Sequence, residues 1–498
     1  MADKPDYQND RYATTLREQW QQVDSVLGGT YAMRKARDLF LPQFPAEADE
    51  VYDDRLNAAT FDNDYVDTLD GIVGMVFRRP PQIGESVPSR IRTLLENVDL
   101  AGTHFNVFAS RFVRKGIHLG AAYVVVDMQR RPAEMEGQQL DDAEARGLGL
   151  RPYWIAYGAN EVQNAPRYVT IGGVKTLQQI VFRECATVPD GEFGEAEVVR
   201  FRVWRLPVEL LSDGQYRRTG SVEWQIWEQR EQLEQIDSGA VSGLSEIPVA
   251  AFIASPDPYS DHDIFAPTLL DLSFLCIKHW QQQSDHESNL HLCSSPIPYT
   301  VNLKENGDLT EQAWGKGVRY DCAEGGAVGY AEPAGTGLEA MRLQLEGVKD
   351  AIRQKGLEMV LEGGTANTTA TEQLLRAGKR ASRLSAITQA AQDCFERALQ
   401  LTAQWIGLGG DQGGEITMGV KGDELILTAQ DVNAYLASVK ERAMSLKTFW
   451  AILQRGGIQA DDFDADIELR QIADELKLLA EAMPQPVASS ALAASSMN

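Results

Sequence analysis

The sequence predicts an α+β fold in which long helices carry most of the chain and a block of antiparallel strands occupies the middle. Three observations predict it. Apolar residues recur every three or four positions in four separate stretches, beginning near Val51, Asp263, Leu338 and Ala370, which is the spacing of one buried helix face. Between Arg151 and Val249 the period drops to two, with Val199, Phe201 and Val203 alternating with Arg200, Arg202 and Trp204, as in a strand wet on one side. Segments rich in glycine and proline punctuate the second half, where neither pattern can continue.

Taken in order, the first helix expected runs from Val51 to Phe77, with Phe61, Tyr65, Leu69, Ile72 and Val76 as its buried stripe. It must stop at Arg78-Arg79-Pro80-Pro81, because two prolines cannot continue a helix and arginines suit its negative end. A second helix, about Thr103 to Lys115, carries Phe105, Phe108 and Phe112 on one side. Gly116 and Gly120 loosen the backbone before an apolar strand at Ala122–Val126. In the sheet region, Trp224 and Ile226 repeat the alternation after the turn signal Ser212-Asp213-Gly214.

Pro267 suits the first turn of a helix from Asp263 to Cys293. A Pro- and Gly-rich segment follows from Pro296 to Gly337, with a short helix expected near Thr310 to Trp314. Leu338 to Leu361 is helical again. Glu362 to Thr368 is a break, and Thr369-Ala370-Thr371-Glu372 restarts the chain with capping-box spacing. The helix that follows, Ala370 to Ile406, spaces Leu384, Ile387, Ala391, Cys394, Ala398, Leu401 and Trp405 by three and four, a seam that asks for partners along its length. After Gly407-Leu408-Gly409-Gly410 comes a smaller helical piece ending in a helix from Asp462 to Ala482. The Ala/Ser-rich tail from Pro484 is expected to be mobile.

Composition bounds the function. The chain has 498 residues, 47 basic and 72 acidic, for a net charge of −25. That surface repels bulk nucleic acid, so a basic DNA-coating protein is excluded. An apolar content of 43% excludes global disorder. The N-terminus lacks the apolar core of a signal peptide, and no stretch approaches the length of a membrane span. Five scattered cysteines without a CxxC pair read as reduced thiols. The expectation is a soluble intracellular protein of several domains.

Candidate chemistry is sparse. Gly172-Gly173-Val174-Lys175-Thr176 ends like a Walker A motif but lacks its first glycine, so a turn between strands is the better reading. His279, His286 and His291 share one helix beside Asp285 and Glu287, yet their gaps of seven and five differ from the three or four that lets two imidazoles reach one ion. No catalytic residue, cofactor or metal site is expected. Arg376, Lys379, Arg380 and Arg383 reverse the charge locally, and two readings stay open: contact with a polyanion, or ion pairs and solvation on a helix face.

The order of elements resembles that of tailed-bacteriophage portal proteins, in the portal-like family common in prophages. Tyr52-Asp53-Asp54-Arg55, Phe61-Asp62-Asn63 and Gly74 to Pro80 look like its N-terminal signature. Leu272 to His291, closed by Pro296, and Thr369-Ala370-Thr371-Glu372 look like its later landmarks. The resemblance covers roughly residues 50 to 480 and implies a portal fold. On it, 1–262 is the wing, 263–293 and 338–361 are stem helices, and 294–337 is the clip. A tunnel loop spans 362–369, with Gly363, Gly364, Thr365, Asn367 and Thr368 facing the channel. A long wing helix spans 370–406, a crown 407–483 and a tail 484–498.

The resemblance also implies a homo-oligomeric ring, a dodecamer, at one capsid vertex of the virion, assembled in the host bacterial cytoplasm. Double-stranded DNA would be packaged through it, retained, and ejected through it. The large terminase subunit, head-completion or adaptor proteins, and the major capsid and scaffolding proteins would dock on it, with no membrane involved and no enzymatic activity of its own. Arg376, Lys379, Arg380 and Arg383 would touch DNA phosphates or a neighbouring subunit. The alternatives are a metal-dependent hydrolase using His279 and His286, or a structural scaffold protein without a channel.

Overall fold

A computed structural model describes residues 11–130, 147, 149–212, 214–230, 232–254, 266–294, 297–303, 322–331, 336–360, 370–419, 429–455, 459 and 463–482. Within them the chain is a mixed α+β protein of two units, residues 1–419 and 420–498. Helices α1 (Arg11–Leu27), α2 (Gly29–Ala36), α3 (Asp49–Ala58) and α4 (Asp64–Val76) come first, then strand β1 (Gln82–Ile83), α5 (Ser89–Leu95) and α6 (Phe105–Leu119). Strands β2 (Ala121–Met128), β3 (Pro152–Gly158), β4 (Arg167–Ile171), β5 (Val174–Asp190) and β6 (Gly194–Arg205) follow. The strand block closes with β7 (Val208–Leu210), β8 (Tyr216–Arg218), β9 (Val222–Gln229), β10 (Leu233–Val241) and β11 (Val249–Ile253).

Strand β2 organises the first unit. Its residues Ala121 to Val126 are all buried, because the two-residue alternation of a strand sends them into two different cores. Ala122, Val124 and Val126 join Phe105 and Phe112 of α6 in the larger core. Ala121, Tyr123 and Val125 meet Trp20 of α1, Phe182 of β5 and Trp204 of β6 in the second. The antiparallel sheet β11-β2-β3 therefore lies between helices on one face and the antiparallel sheet β10-β9-β6-β5-β4 on the other. A strand covered on both faces reads as a continuous apolar run.

The second half of the unit is α7 (Leu270–Ser294), the ribbon β12 (Ile297–Leu303) and β13 (Cys322–Ala331), α8 (Thr336–Val360), α9 (Ala370–Trp405) and β14 (Ile416–Thr417), which pairs with β1. From Ile387 onward the seam of α9 is filled by its own chain: Ala391, Cys394, Phe395, Ala398 and Leu399 all sit in the larger core. Two indoles pin this end of the helix. Trp154 of β3 donates to Thr402 Oγ1 at 2.9 Å, and Trp405 donates to the Val126 carbonyl at 2.9 Å. That part of the seam needs no second chain.

Other expectations change in instructive ways. The stretch from Val51 to Phe77 is two helices, because the Asn63 side chain accepts the Val66 N–H at 3.3 Å and caps α4 there. Phe61 still points into the core, but from the connection, edge-on to Trp280. Gly116 lies inside α6, where a Cβ would come within 2.3 Å of the Phe252 ring; it permits close helix–sheet approach, while Gly120 (φ 89°) ends the helix. Gly172 and Gly173, with φ of 57° and 84°, make the β4–β5 hairpin turn, which needs two left-handed residues. The Ser212–Gly214 turn joins β7 to β8 and does not directly precede β9. The segment from Pro296 to Gly337 contains the β12–β13 ribbon, which its prolines and glycines hid.

The second unit has its own small core. Phe449, Trp450 and Leu453 of α11 (Leu446–Arg455) pack with Val432, Tyr435 and Leu436 of α10 (Ala429–Lys440) and Leu469 and Ile472 of α12 (Ala465–Ala482). The division falls after Gly419 rather than at residue 407, because the β1–β14 pairing and buried Met418 keep residues 410–418 with the first unit. Cys185, Cys276, Cys293 and Cys394 are free thiols. Among the described residues no helix is long and apolar enough to cross a membrane. The helix expected near Thr310 to Trp314, the capping residue Thr369 and the tail lie outside the described residues.

Candidate interaction surface

Helices α7 and α8 form an antiparallel pair: Lys355 reaches Asp271 at 2.9 Å at one end, and Asn289 meets the Met341 sulfur at 3.8 Å toward the other. Among the described residues one end is anchored. There Leu272, Cys276 and Trp280 of α7 and Val348 and Ile352 of α8 enter the larger core. Gly356 lets α8 approach α4, since a Cβ would meet Thr68 Oγ1 at 2.7 Å. Beyond Ser284 on α7, and before Val348 on α8, no described residue is buried. The pair leaves the core and carries the β12–β13 ribbon at its far end.

This bare end is apolar where a solvated hairpin would be polar. Leu290 and Leu343 are exposed on the helices, and Tyr299, Val301, Val328 and Tyr330 (59%) on the ribbon. Register puts Tyr299 opposite Gly329 and Val301 opposite Ala327, so these share one face, while Val328 and Tyr330 occupy the other. Gly329 makes room for the Tyr299 ring, which a Cβ there would approach to 3.0 Å. A two-stranded ribbon is marginal in water on its own, and contiguous exposed apolar groups mark an interaction site.

Charge on the pair is locally neutralised. Each cation of α8 has an acidic neighbour: Arg342 with Glu339 and Glu346, Lys349 with Asp62, Arg353 with Asp350, Lys355 with Asp271. Most of these are exposed and add little stability, but they leave α8 without a basic stripe for phosphate. Of the residues expected at a DNA channel, Gly363, Gly364, Thr365, Asn367 and Thr368 lie outside the described residues. Arg376, Lys379 and Arg380 fall on the first turns of α9, with side chains outside the description, and Arg383 is exposed.

The histidines of α7 do not converge. His279 is buried, His286 is half-buried and His291 is exposed. Among the described residues no group of three or more His, Cys, Asp or Glu is placed to hold a metal ion. His279 lies at the anchored end, where burial and then the Lys349 charge push its pKa down, against the opposing pull of Asp62 and Asp64. A depressed imidazole stays neutral in the fold while the unfolded chain takes up a proton, so stability falls as pH drops below about 6.5. Burial raises the Asp64 carboxyl, an effect of opposite sign confined to the carboxylate range. His279→Gln is therefore expected to flatten the decline of the urea midpoint between about pH 7 and 5; an unchanged slope would contradict this role.

Three polar constellations had no local sequence signal. Tyr65 and His118 Nδ1 are 2.9 Å apart, and His118 Nε2 meets Asp24 at 2.8 Å, all across separate helices. Between the two sheets, Arg202 donates to Glu184 at 2.7 Å and Asp127 at 2.6 Å, while Tyr157 donates to the same Glu184 oxygen. Arg55 of α3 donates from Nε and Nη2 to the two oxygens of Glu47, both at 2.8 Å. Each ties elements together within the fold. In sequence they are an ordinary alternation or a lone charge.

A family model described as a domain of unknown function, DUF4055, matches residues 268–406. The match opens just before α7 and closes just after α9, so it takes in the helix pair, the ribbon and the long helix. No curated protein matches the chain.

Proposed function

We propose that this chain is a portal protein of the tailed-bacteriophage kind, a subunit of a ring around a DNA channel at one capsid vertex. The observation that carries the reading is the α7–ribbon–α8 projection: anchored at one end, bare at the other, and apolar on both ribbon faces. In a ring, neighbouring projections would cover these side chains. The order that follows, a segment at 361–369, the long α9 and a small helical unit, matches the order the resemblance implies. The ribbon would be the clip that meets terminase and adaptor proteins, and α9 would cross the wing. The subunit would perform no chemistry of its own.

Electrostatics agrees with DNA sliding past the wall without sticking to it. A ring of twelve would carry about −300 formal charges, a field that keeps DNA from adhering to the wall. Arg376, Lys379, Arg380 and Arg383 would supply a local contact to phosphate or to a neighbouring subunit. Light scattering on the purified chain, with negative-stain images of the same sample, tests the reading. The expected result is a closed ring with a central hole, near 660 kDa for twelve chains of 55.0 kDa. A monomer or dimer at tens of micromolar and physiological salt counts against it.

A further inference from the structure

The β5–β6 hairpin ends in a feature that the portal reading leaves unused. Phe193 is 92% exposed at its tip. The turn is built to present it: Gly191 takes φ 75°, and a Cβ at Gly194 would come within 2.4 Å of the Asp190 carbonyl. Asp190, Glu192, Glu195 and Glu197 surround it, all exposed, and no Lys or Arg occurs between Arg183 and Arg200. A solvated hairpin has no use for a bare phenyl ring, whose burial against a partner would remove roughly 150–250 Å² from water. The tip is an apolar knob in an acidic collar.

A complementary socket exists elsewhere on the first unit. Between α1 and α2 lies an open cleft of about 530 Å³, with Trp20, Ala32 and Ala36 as apolar lining and Arg17 and Lys35 as cations. Its acid, Asp24, is engaged by His118 Nε2 at 2.8 Å and by Asn160 at 3.2 Å. Lys35 is exposed, and Arg17 donates to the Gln163 carbonyl at 3.2 Å. The cleft has room for an aromatic ring and a rim of the sign the collar needs.

The knob does not serve its own cleft. Phe182 shares the second core with Trp20, and β5 runs on without a break to Asp190. Eight residues of strand carry the tip roughly 26 Å from that core. We infer that Phe193 docks into the α1–α2 cleft of a second copy of this chain, with the acidic collar against Arg17 and Lys35. Knob and socket are different patches, so the contact is head-to-tail, the kind that closes into a ring when the rotation permits. The inference rests on the ring reading for its closure, and names a contact that reading does not contain.

The test uses the full chain and its native mass over a dilution series, with far-UV circular dichroism as the check on folding. Phe193→Ala at an exposed tip leaves the fold intact and is expected to raise the half-dissociation concentration about thirtyfold or more, as loss of an interface anchor does. Lys35→Glu is expected to weaken assembly in the same direction. Adding Glu192→Lys to Lys35→Glu is expected to recover most of that loss. Rings that form in both single variants with the wild-type midpoint overturn the docking and leave the ring reading standing, and so does a charge swap that rescues nothing. A wild-type chain that stays monomeric up to about 100 µM, well above the Kd expected of a specific interface, overturns both.

Discussion

Arg55→Ala is expected to destabilise the first unit by about 3–5 kcal/mol, the cost of leaving one member of a buried pair uncompensated. Side-chain exposure is 5% for Arg55 and 6% for Glu47. The guanidinium is held on every side: both Glu47 oxygens at 2.8 Å, the Pro42 carbonyl at 3.0 Å, the Phe44 ring 4.5 Å away and Ser284 of α7 at 3.5 Å. Removing it strands a carboxylate and cuts one link between α3 and the helix that leads to the ribbon. Arg55→Lys keeps the charge but loses the planar fork, so it should recover only part of the loss.

The pH dependence of the same pair has a defined sign. The Arg55 hydrogen bonds hold the Glu47 carboxyl below its usual value of 4.5. A carboxylate depressed in the fold stabilises it above that value, and the contribution disappears as pH falls through the folded pKa. The gap between wild type and Arg55→Ala in urea midpoint should therefore be full at pH 7 and shrink in acid below about pH 4.5. A difference below about 1 kcal/mol at pH 7 would show that the pair stabilises no better than a surface bridge.

Phe395→Ala is expected to cost about 3–5 kcal/mol, the range for truncating a buried phenylalanine whose cavity cannot collapse. Phe395 has no exposed surface. Its ring lies 5.2 Å from Phe105 edge-on, 5.4 Å from Phe112, and parallel to Trp154 at 6.4 Å. Those partners come from α6 and β3, so the cavity would open where the helical layer meets the sheet. Phe274→Ala on α7 is the control: that ring is largely exposed, and the change should stay within about 0.5 kcal/mol. Thermal or urea unfolding followed by tryptophan fluorescence separates the two; equal effects would place Phe395 outside the cooperative core.

Much of the fold was legible because local periodicity reports which side of an element avoids water. The three- and four-residue spacing marked α9 within a residue of its observed ends, and the apolar run at Ala122–Val126 marked β2. The break at Asn63 was missed because apolar spacing continued through it, while the capping contact depends on one side chain folding back on Val66. The ribbon was missed because Pro298, Gly325 and Gly329 read as loop, although one glycine is there to seat Tyr299. The polar constellations were invisible, since Asp24, Tyr65 and His118 approach only when three helices pack.

The sequence by itself determined the α+β class, the bounds of α8 and α9 to within two residues and the net negative charge, whereas the helix expected from Asp263 begins only at Leu270, with Pro267 ahead of it. Those properties depend on composition and on neighbours a few residues apart. Tertiary structure alone decided what each apolar face covers. The seam of α9 pointed to a second chain, yet from Ile387 onward it is filled by β2, β3, α6 and β11 of its own; exposed apolar side chains cluster instead on the α7–α8 projection, and Phe193 stands bare at a hairpin tip. The physical reason is that periodicity encodes a face that must leave water but not the surface that receives it. That choice is made by long-range packing, where burial of many small increments outweighs any local preference.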